Sequence, residues 1–394
     1  MTRAQGNGET VIVIGAGANG LAVARALREQ AIPVRIVDRA GRAGDAWRQR
    51  HPQLRLNTHR DLSCLPGLAL PAGSAAFPSR DDIIRYLEEY AARLDVPVDY
   101  AVTVERIEQS SGGWAIETDC GTYYSEHVVI ATGREQVPYI PGWPGRESYR
   151  GRLIHAHEFG DADQYRGSKV LVIGCGNSGS DILNHLSTIE TAGLLVSVRN
   201  GPVVFPRYLY GIPVQRLSPV LAVLPVRVVD LLLALTERIA FGNLGKWGLP
   251  RHARGGASRL VEDGVAPAID TGFVRALKSG RLQVVPEIRS FDATAVVLVD
   301  GRRVEADVVI AATGYRTGLD TMLGNMDVLD ESARPVINGA EQHASYPGLW
   351  FTGMRPRLPG FFHMACKTSV EIASAIAAAR QSRGKAVNGV KATA

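Results

Sequence analysis

The sequence predicts an α/β protein made of two Rossmann-like dinucleotide-binding units, one inserted into the other. Three observations carry this expectation: two glycine-rich turns with Gly15 and Gly174 159 residues apart, an apolar strand leading into each, and strand–helix alternation through the rest of the chain. The first turn is Val11-Ile12-Val13-Ile14-Gly15-Ala16-Gly17-Ala18-Asn19-Gly20, and the second is Val170-Leu171-Val172-Ile173-Gly174-Cys175-Gly176-Asn177-Ser178-Gly179. In each, a buried strand runs into a Gly-x-Gly-x-x-Gly turn that opens a helix. The first glycine makes the tight turn, the second lets backbone approach a pyrophosphate, and the third lets helix and strand pack closely. The diphosphate then rests on unpaired amides at the positive end of the helix. Two such turns point to two bound dinucleotides.

The strand after the first turn, Val34-Arg35-Ile36-Val37-Asp38, ends on an acid 18 residues past Gly20, with Arg39 next to it. A carboxylate there accepts ribose hydroxyls and repels a 2′-phosphate, so the first site reads as FAD or NAD. The strand after the second turn, Leu194-Leu195-Val196-Ser197-Val198-Arg199, ends on arginine, 20 residues past Gly179. A guanidinium at that place pairs a 2′-phosphate and favours NADPH, against the alternative of a solvated surface arginine. Two similar segments, Val128-Val129-Ile130-Ala131-Thr132-Gly133 and Val308-Val309-Ile310-Ala311-Ala312-Thr313-Gly314-Tyr315, end in small residues where backbone can lie against a cofactor or cross between domains. The second unit is expected between them, at 165–290. The first is built from 1–164 and 291–380, and 381–394 reads as a disordered tail.

Net charge is +5, and only six of the 44 basic residues are lysine. No basic block interleaved with aromatics occurs, which argues against nucleic acid as a partner. The four cysteines (Cys64, Cys120, Cys175 and Cys366) form no CxxC pair. They read as reduced thiols of a cytoplasmic protein rather than as a dithiol relay. No clustered His/Cys ligand set is visible, so no metal is expected. Residues 1–9 are polar and carry no apolar core of a secretory signal. The apolar stretch 217–242 is interrupted by Pro225, Arg227, Asp230, Glu237 and Arg238, which rules against a transmembrane helix. It reads as a core helix or a contact between copies in a homo-oligomer; the alternatives are an access tunnel or a membrane-surface element.

Just before the second turn lies Tyr149-Arg150-Gly151-Arg152-Leu153-Ile154-His155-Ala156-His157-Glu158-Phe159. It resembles the flavin-containing monooxygenase signature FxGxxxHxxx(Y/F), with Gly151, His155 and Phe159 matching and tyrosine in the first position. Ala312-Thr313-Gly314-Tyr315 is similar to that family's ATGY linker, and Gly348-Leu349-Trp350-Phe351-Thr352-Gly353 to its segment over the isoalloxazine. Gly44-Asp45-Ala46-Trp47 resembles its GGxW turn, with Ala43 where a second glycine is usual. The run Asn57-Thr58-His59-Arg60-Asp61-Leu62-Ser63-Cys64-Leu65 is similar to one whose asparagine faces flavin and oxygen. Further similarity, from Phe77–Asp82 through Tyr90-Ala91 and from Lys278-Ser279-Gly280 through Phe291, looks like the bacterial and plant YUCCA-type branch. Resemblance spans about residues 10 to 378 and is weakest across 215–262.

The resemblance implies FAD and NADPH as cofactors, with dioxygen carried at flavin C4a and one oxygen atom passed to a small molecule, foremost at a soft nitrogen or sulfur. It implies Asn57 beside that reacting position, whereas an Asn-Thr pair on its own is commonly a turn or helix cap. It also implies Trp47, Thr132, Gly133, Thr313, Gly314, Tyr315 and Gly353 around the cofactors. His155 is expected to fix the interdomain linker rather than to act on substrate. His363, beside Phe361 and Phe362, is either a pocket residue or a packed one. Baeyer–Villiger oxidation of a ketone stays open, although Phe159 is followed by Gly160-Asp161 where such enzymes carry Trp-Pro. Oxidative decarboxylation of an α-keto acid stays open too, as do an NADPH oxidase or reductase and a flavoprotein without turnover.

Overall fold

Short apolar runs, too brief for helices and flanked by turn residues, become the central strands of two parallel sheets. A computed structural model of the chain describes residues 10–391, with side chains as far as Arg383. Residues 1–9, and with them the expectation about a signal, lie outside the described residues. In the first sheet the strand order is Leu349–Phe351, Val128–Ile130, Val11–Ile14, Val34–Asp38, Val98–Tyr100, all parallel. In the second it is Leu282–Val285, Gly193–Ser197, Lys169–Ile173, Val308–Ala311, Arg152–His155, again all parallel. Each unit adds a three-stranded antiparallel meander, Val104–Ser125 in the first and Ile288–Val304 in the second.

This pairing corrects the expected boundaries. The strands Arg152–His155 and Val308–Ala311 were assigned to the first unit, yet both lie in the second sheet, on its far edge and next to it. The second unit therefore runs from about Arg152 to Ala311. Its two connections to the first are hydrogen-bonded to each other: Val137–Pro138 pairs antiparallel with Tyr315–Arg316, and Tyr139 N–H donates to the Gly314 carbonyl at 3.0 Å. The second unit's strand ends at Ser197, so Arg199 sits just past it rather than on it.

The first helix, Ala18–Glu29, buries Leu21, Val23 and Leu27 against the last helix, Phe361–Lys391, whose Ile372 and Ile376 join the same core. That last helix continues through 381–391, which corrects the expectation of a disordered tail; 392–394 lie outside the described residues. The stretch 217–242 is not a core helix. It forms Ser218–Leu221 and Val226–Phe241, and the longer helix buries only Val229 and Leu233 completely. No described helix is long and apolar enough to cross a membrane.

His127 closes the first sheet beneath Trp350, whose indole N–H donates to its Nδ1 at 3.4 Å. Burial, with Arg380 and Arg383 nearby, pushes His127 down to about 4. An unfolded histidine titrates near 6.5, so this ring's contribution is complete above that value and lost as pH falls toward 4. We expect about 2 kcal/mol of stability to go between pH 7 and pH 5 through this ring alone. Urea unfolding at the two pH values should show a clearly smaller loss in His127→Gln. An equal loss in both proteins would remove His127 from the effect.

Candidate active site and dinucleotide cradles

The two glycine turns adopt the same geometry, and what a side chain would meet at each glycine says what the turn is for. Gly15 and Gly174 lie at φ +111° and +95°, where a Cβ would stand 2.7 Å from the Ala131 carbonyl oxygen and 2.8 Å from that of Ala312. Gly20 and Gly179 press against the Gly15 and Gly174 carbonyls, leaving no room for a methyl group. At Gly17 and Gly176 a Cβ would meet nothing within 4 Å. Each turn is thus closed at its first and third glycines and open at its second.

Helix capping supports the same reading. The helices Ala18–Glu29 and Asn177–Leu186 start at Gly17 and Gly176 with no side-chain cap and no acid in the first turn. By contrast, the helix Arg80–Arg93 has a full Ser79/Asp82 capping box. Uncapped amides at a positive helix end suit a diphosphate. Thr132 Oγ1 is buried, borders the same space and has no hydrogen-bond partner among the described residues. The residues present fit two dinucleotides.

A continuous cavity of about 830 Å³ connects these features. Gly15, Gly17, Asp38, Arg39, Trp47 and Asn57 line it from the first unit, and Thr132, Gly133 and Gly353 from the strand ends beside it. Of the second turn, Asn177 and Ser178 reach it, while Gly174, Gly176, Gly179 and Arg199 lie outside its wall. Asp38 accepts hydrogen bonds from the amides of Ala16 and Ala40, which fixes its carboxylate at the rim of the first turn. Arg39 donates to Gln136, and Trp47 packs on Phe362 with ring centroids 6.2 Å apart. Phe361 and Phe362 border the cavity, but His363 does not.

Asn57 stands where the units meet. Its Nδ2 donates to Asn177 Oδ1 at 2.7 Å, and its Oδ1 accepts from Arg207 at 3.3 Å. The arginine sets which end of the amide is oxygen, and both ends of the side chain are held by the second unit. Arg207 is largely buried, lies over the Phe77 ring at 5.0 Å, and leaves its Nε without a hydrogen-bond partner among the described residues. Sequence reasoning missed it, because one arginine in an irregular stretch has no periodicity or motif to single it out. Nor did it anticipate His51, Asp181 and His185, whose ligand-type atoms lie within 4.8 Å of one another. His51 Nε2 approaches Asp181 at 2.7 Å, and His185 approaches it at 3.6 Å. Burial acts to raise the Asp181 pKa, but hydrogen bonds from the two rings outweigh it and hold the carboxylate down at about 2. This cluster ties the two units together.

His155 is 1% exposed, and both ring nitrogens are used. Nε2 bonds the Gly314 carbonyl at 2.9 Å and Nδ1 accepts from the His157 amide at 3.0 Å. That fixes the neutral tautomer with the proton on Nε2, and burial lowers its pKa. Tyr315 meets its ring edge-on at 4.9 Å and takes a hydrogen bond from Arg50 at 3.1 Å. Thr313 Oγ1 donates to the Tyr139 carbonyl. Phe159 is fully buried, stacked on Tyr165 at 5.2 Å, and Gly151 lies against the Tyr149 ring. These fingerprint residues thus brace the crossing between units and do not line the cavity.

The Arg199 side chain is 72% exposed and pairs with Glu287 at 3.8 Å. Arg199→Ala should raise the KM for NADPH about tenfold or more while leaving that for NADH within twofold, the loss of one charge-assisted contact. Equal rises with both nucleotides in steady-state assays would sink the assignment.

Residues 12–200 match the family described as pyridine nucleotide-disulphide oxidoreductase. The indole-3-pyruvate monooxygenase YUCCA8 of Oryza sativa subsp. indica is 34% identical over 326 residues, covering 79% of this chain and 77% of that protein. A probable indole-3-pyruvate monooxygenase, YUCCA1 of Arabidopsis thaliana, is 31% identical over 368 residues, covering 92% and 89%. Among solved structures, a flavin-containing monooxygenase from Stenotrophomonas maltophilia superimposes with TM-score 0.68 at 22% identity, covering 93% of this chain and 99% of that one.

Proposed function

This chain belongs to the class B flavoprotein monooxygenases, FAD- and NADPH-dependent enzymes, and from that premise we propose that it places one oxygen atom on a soft nitrogen or sulfur of a small, largely apolar molecule. The observation that carries the substrate reading is the lining of the cavity. Phe205, Val214, Leu221, Leu233, Leu260 and Ile269 border it, with Gln215 and Ser218 as polar neighbours, which suits a largely apolar organic body. When bound, the cofactors turn NADPH, a proton, dioxygen and substrate into NADP⁺, water and oxygenated substrate. The protein supplies placement and electrostatics.

The open amides at Gly17 hold the FAD diphosphate, and Asp38, with lone pairs beyond those used by Ala16 and Ala40, takes the ribose hydroxyls. The amides at Gly176, with Asn177 and Ser178, hold the NADPH diphosphate, and Arg199 its 2′-phosphate. Asn57, oriented by Arg207, offers an amide donor where the two cofactors meet. His155 is a positioning residue. Its two nitrogens are committed to backbone, so it holds the Thr313–Tyr315 crossing against the second sheet rather than moving protons. Cys64, Cys175 and Cys366, which form no disulfide among the described residues, support a reducing, cytoplasmic setting.

A second reading has its own support: the relatives above are named for indole-3-pyruvate, and Arg357 borders the cavity where it could meet a carboxylate. That reading is oxidative decarboxylation of an α-keto acid. FAD-loaded protein with NADPH should be offered a tertiary amine, a thioether, a ketone and a carboxyl-labelled arylpyruvate, with products followed by mass. An N-oxide or sulfoxide supports the first reading, and labelled carbon dioxide the second. An ester or lactone means Baeyer–Villiger chemistry, and peroxide alone with every compound defeats all three.

A further inference from the structure

The helix Val226–Phe241 wears its chemistry inside out. Its two acids point inward: Asp230 accepts from the amides of Ala257 and Ser258 and from the Ser258 hydroxyl, and Glu237 from the amide of Val204. Its outward side carries Val228, Leu231, Leu232, Leu235 and Ile239, with Leu231 69% exposed. At 100° per residue these five fall within one side of the helix, and Arg227 and Arg238 lie along its margin. The preceding segment extends the surface through Val220 and Val223, the latter 81% exposed. Upstream, Tyr210 stands 87% exposed at the tip of the hairpin Tyr208–Pro213.

Charge decides what covers this face. Between 201 and 263 the chain has eight Lys or Arg and four acids, of which Asp230 and Glu237 are turned inward and Glu262 and Asp263 pair with Arg254. Arg227, Arg238, Lys246 and Arg251 are exposed and make no ion pair among the described residues. A two-fold contact with a second copy would set this basic surface against itself, which opposes closure. An anionic bilayer surface matches both properties, taking the leucines into its headgroup–acyl boundary and the arginines among its phosphates.

We propose that the face formed by 220–239 seats this enzyme on an anionic lipid surface, as a peripheral element that does not span the bilayer. The inner side of the same helix borders the cavity through Leu233, so membrane contact places that wall beneath the lipid. A substrate partitioned into the bilayer then has a short route to Asn57. The proposal concerns the outer face and does not depend on which atom is oxygenated.

The test is flotation of the FAD-loaded full chain with vesicles of phosphatidylcholine alone, or with a third of the lipid replaced by phosphatidylglycerol. Binding should favour the anionic vesicles at least tenfold and weaken with salt. The pair Arg227→Gln and Arg238→Gln should cost about thirtyfold, at about a factor of five per basic side chain near such a surface. Leu231→Glu with Leu235→Glu should abolish flotation while FAD content and NADPH oxidation stay as in the wild type. Those two readouts show that the variant is folded and keep the membrane result separate from the redox reading. Absence of flotation with anionic vesicles, equal binding to both kinds, or flotation unchanged in the leucine variant would overturn the proposal. So would a concentration-dependent dimer in sedimentation velocity that the leucine substitutions dissolve, because the occupant would then be a second copy.

Discussion

Gly17→Val should yield a folded protein that carries less than about a tenth of the wild-type FAD. The space beyond Gly17 is open, so the new side chain meets no protein atom nearby and the sheet and helix survive. It occupies instead the path by which a diphosphate reaches the amides at the start of Ala18–Glu29. The matched substitution Gly176→Val should leave FAD in place and remove its reduction by NADPH. Gly20→Ala gives the contrast: its methyl group would collide with the Gly15 carbonyl, so that protein should lose stability as well as flavin. Visible absorbance and circular dichroism on the three variants separate the outcomes. A yellow, fully loaded Gly17→Val would refute the cradle.

Asn57→Ala should uncouple the enzyme. NADPH oxidation should continue within a few-fold of wild type, while hydrogen peroxide replaces oxygenated product and coupling falls about tenfold or more. One preorganised donor in a water-poor site is worth that much. Arg207→Leu should reproduce part of the effect, since it removes the bond that orients the amide and leaves the amide itself present. Peroxide yield per NADPH is the readout. Unchanged coupling in Asn57→Ala would take that residue out of the reaction.

The glycine turns were legible in the sequence because each of their glycines answers a local demand of backbone angle, approach or packing. Strand partnership was not. Val128–Ile130 and Val308–Ala311 are both short apolar runs ending in Ala-Thr-Gly, and nothing in a run says which sheet takes it. The structure puts one in each sheet, and the boundary between units moves accordingly. Asn57 was singled out by its neighbours in sequence, but what orients it was hidden. Arg207 lies 150 residues away and acquires its role only when folding brings it over Phe77. In the same way the outward leucines of 226–241 read as core, since apolar spacing marks a helix face without saying what lies opposite.

The chain's two passes between units also fix an order of assembly at the ribosome. The inner unit has every strand of its sheet once residue 311 has emerged. The outer unit still lacks its edge strand Leu349–Phe351 and the last helix, which covers the first. The part that starts first therefore finishes last, and the glycine turn made within the first twenty residues waits for the chain's end before its support is complete. In vectorial synthesis the inserted unit can stand finished, its two ends held side by side at Tyr139 and Gly314, while its host is still being made.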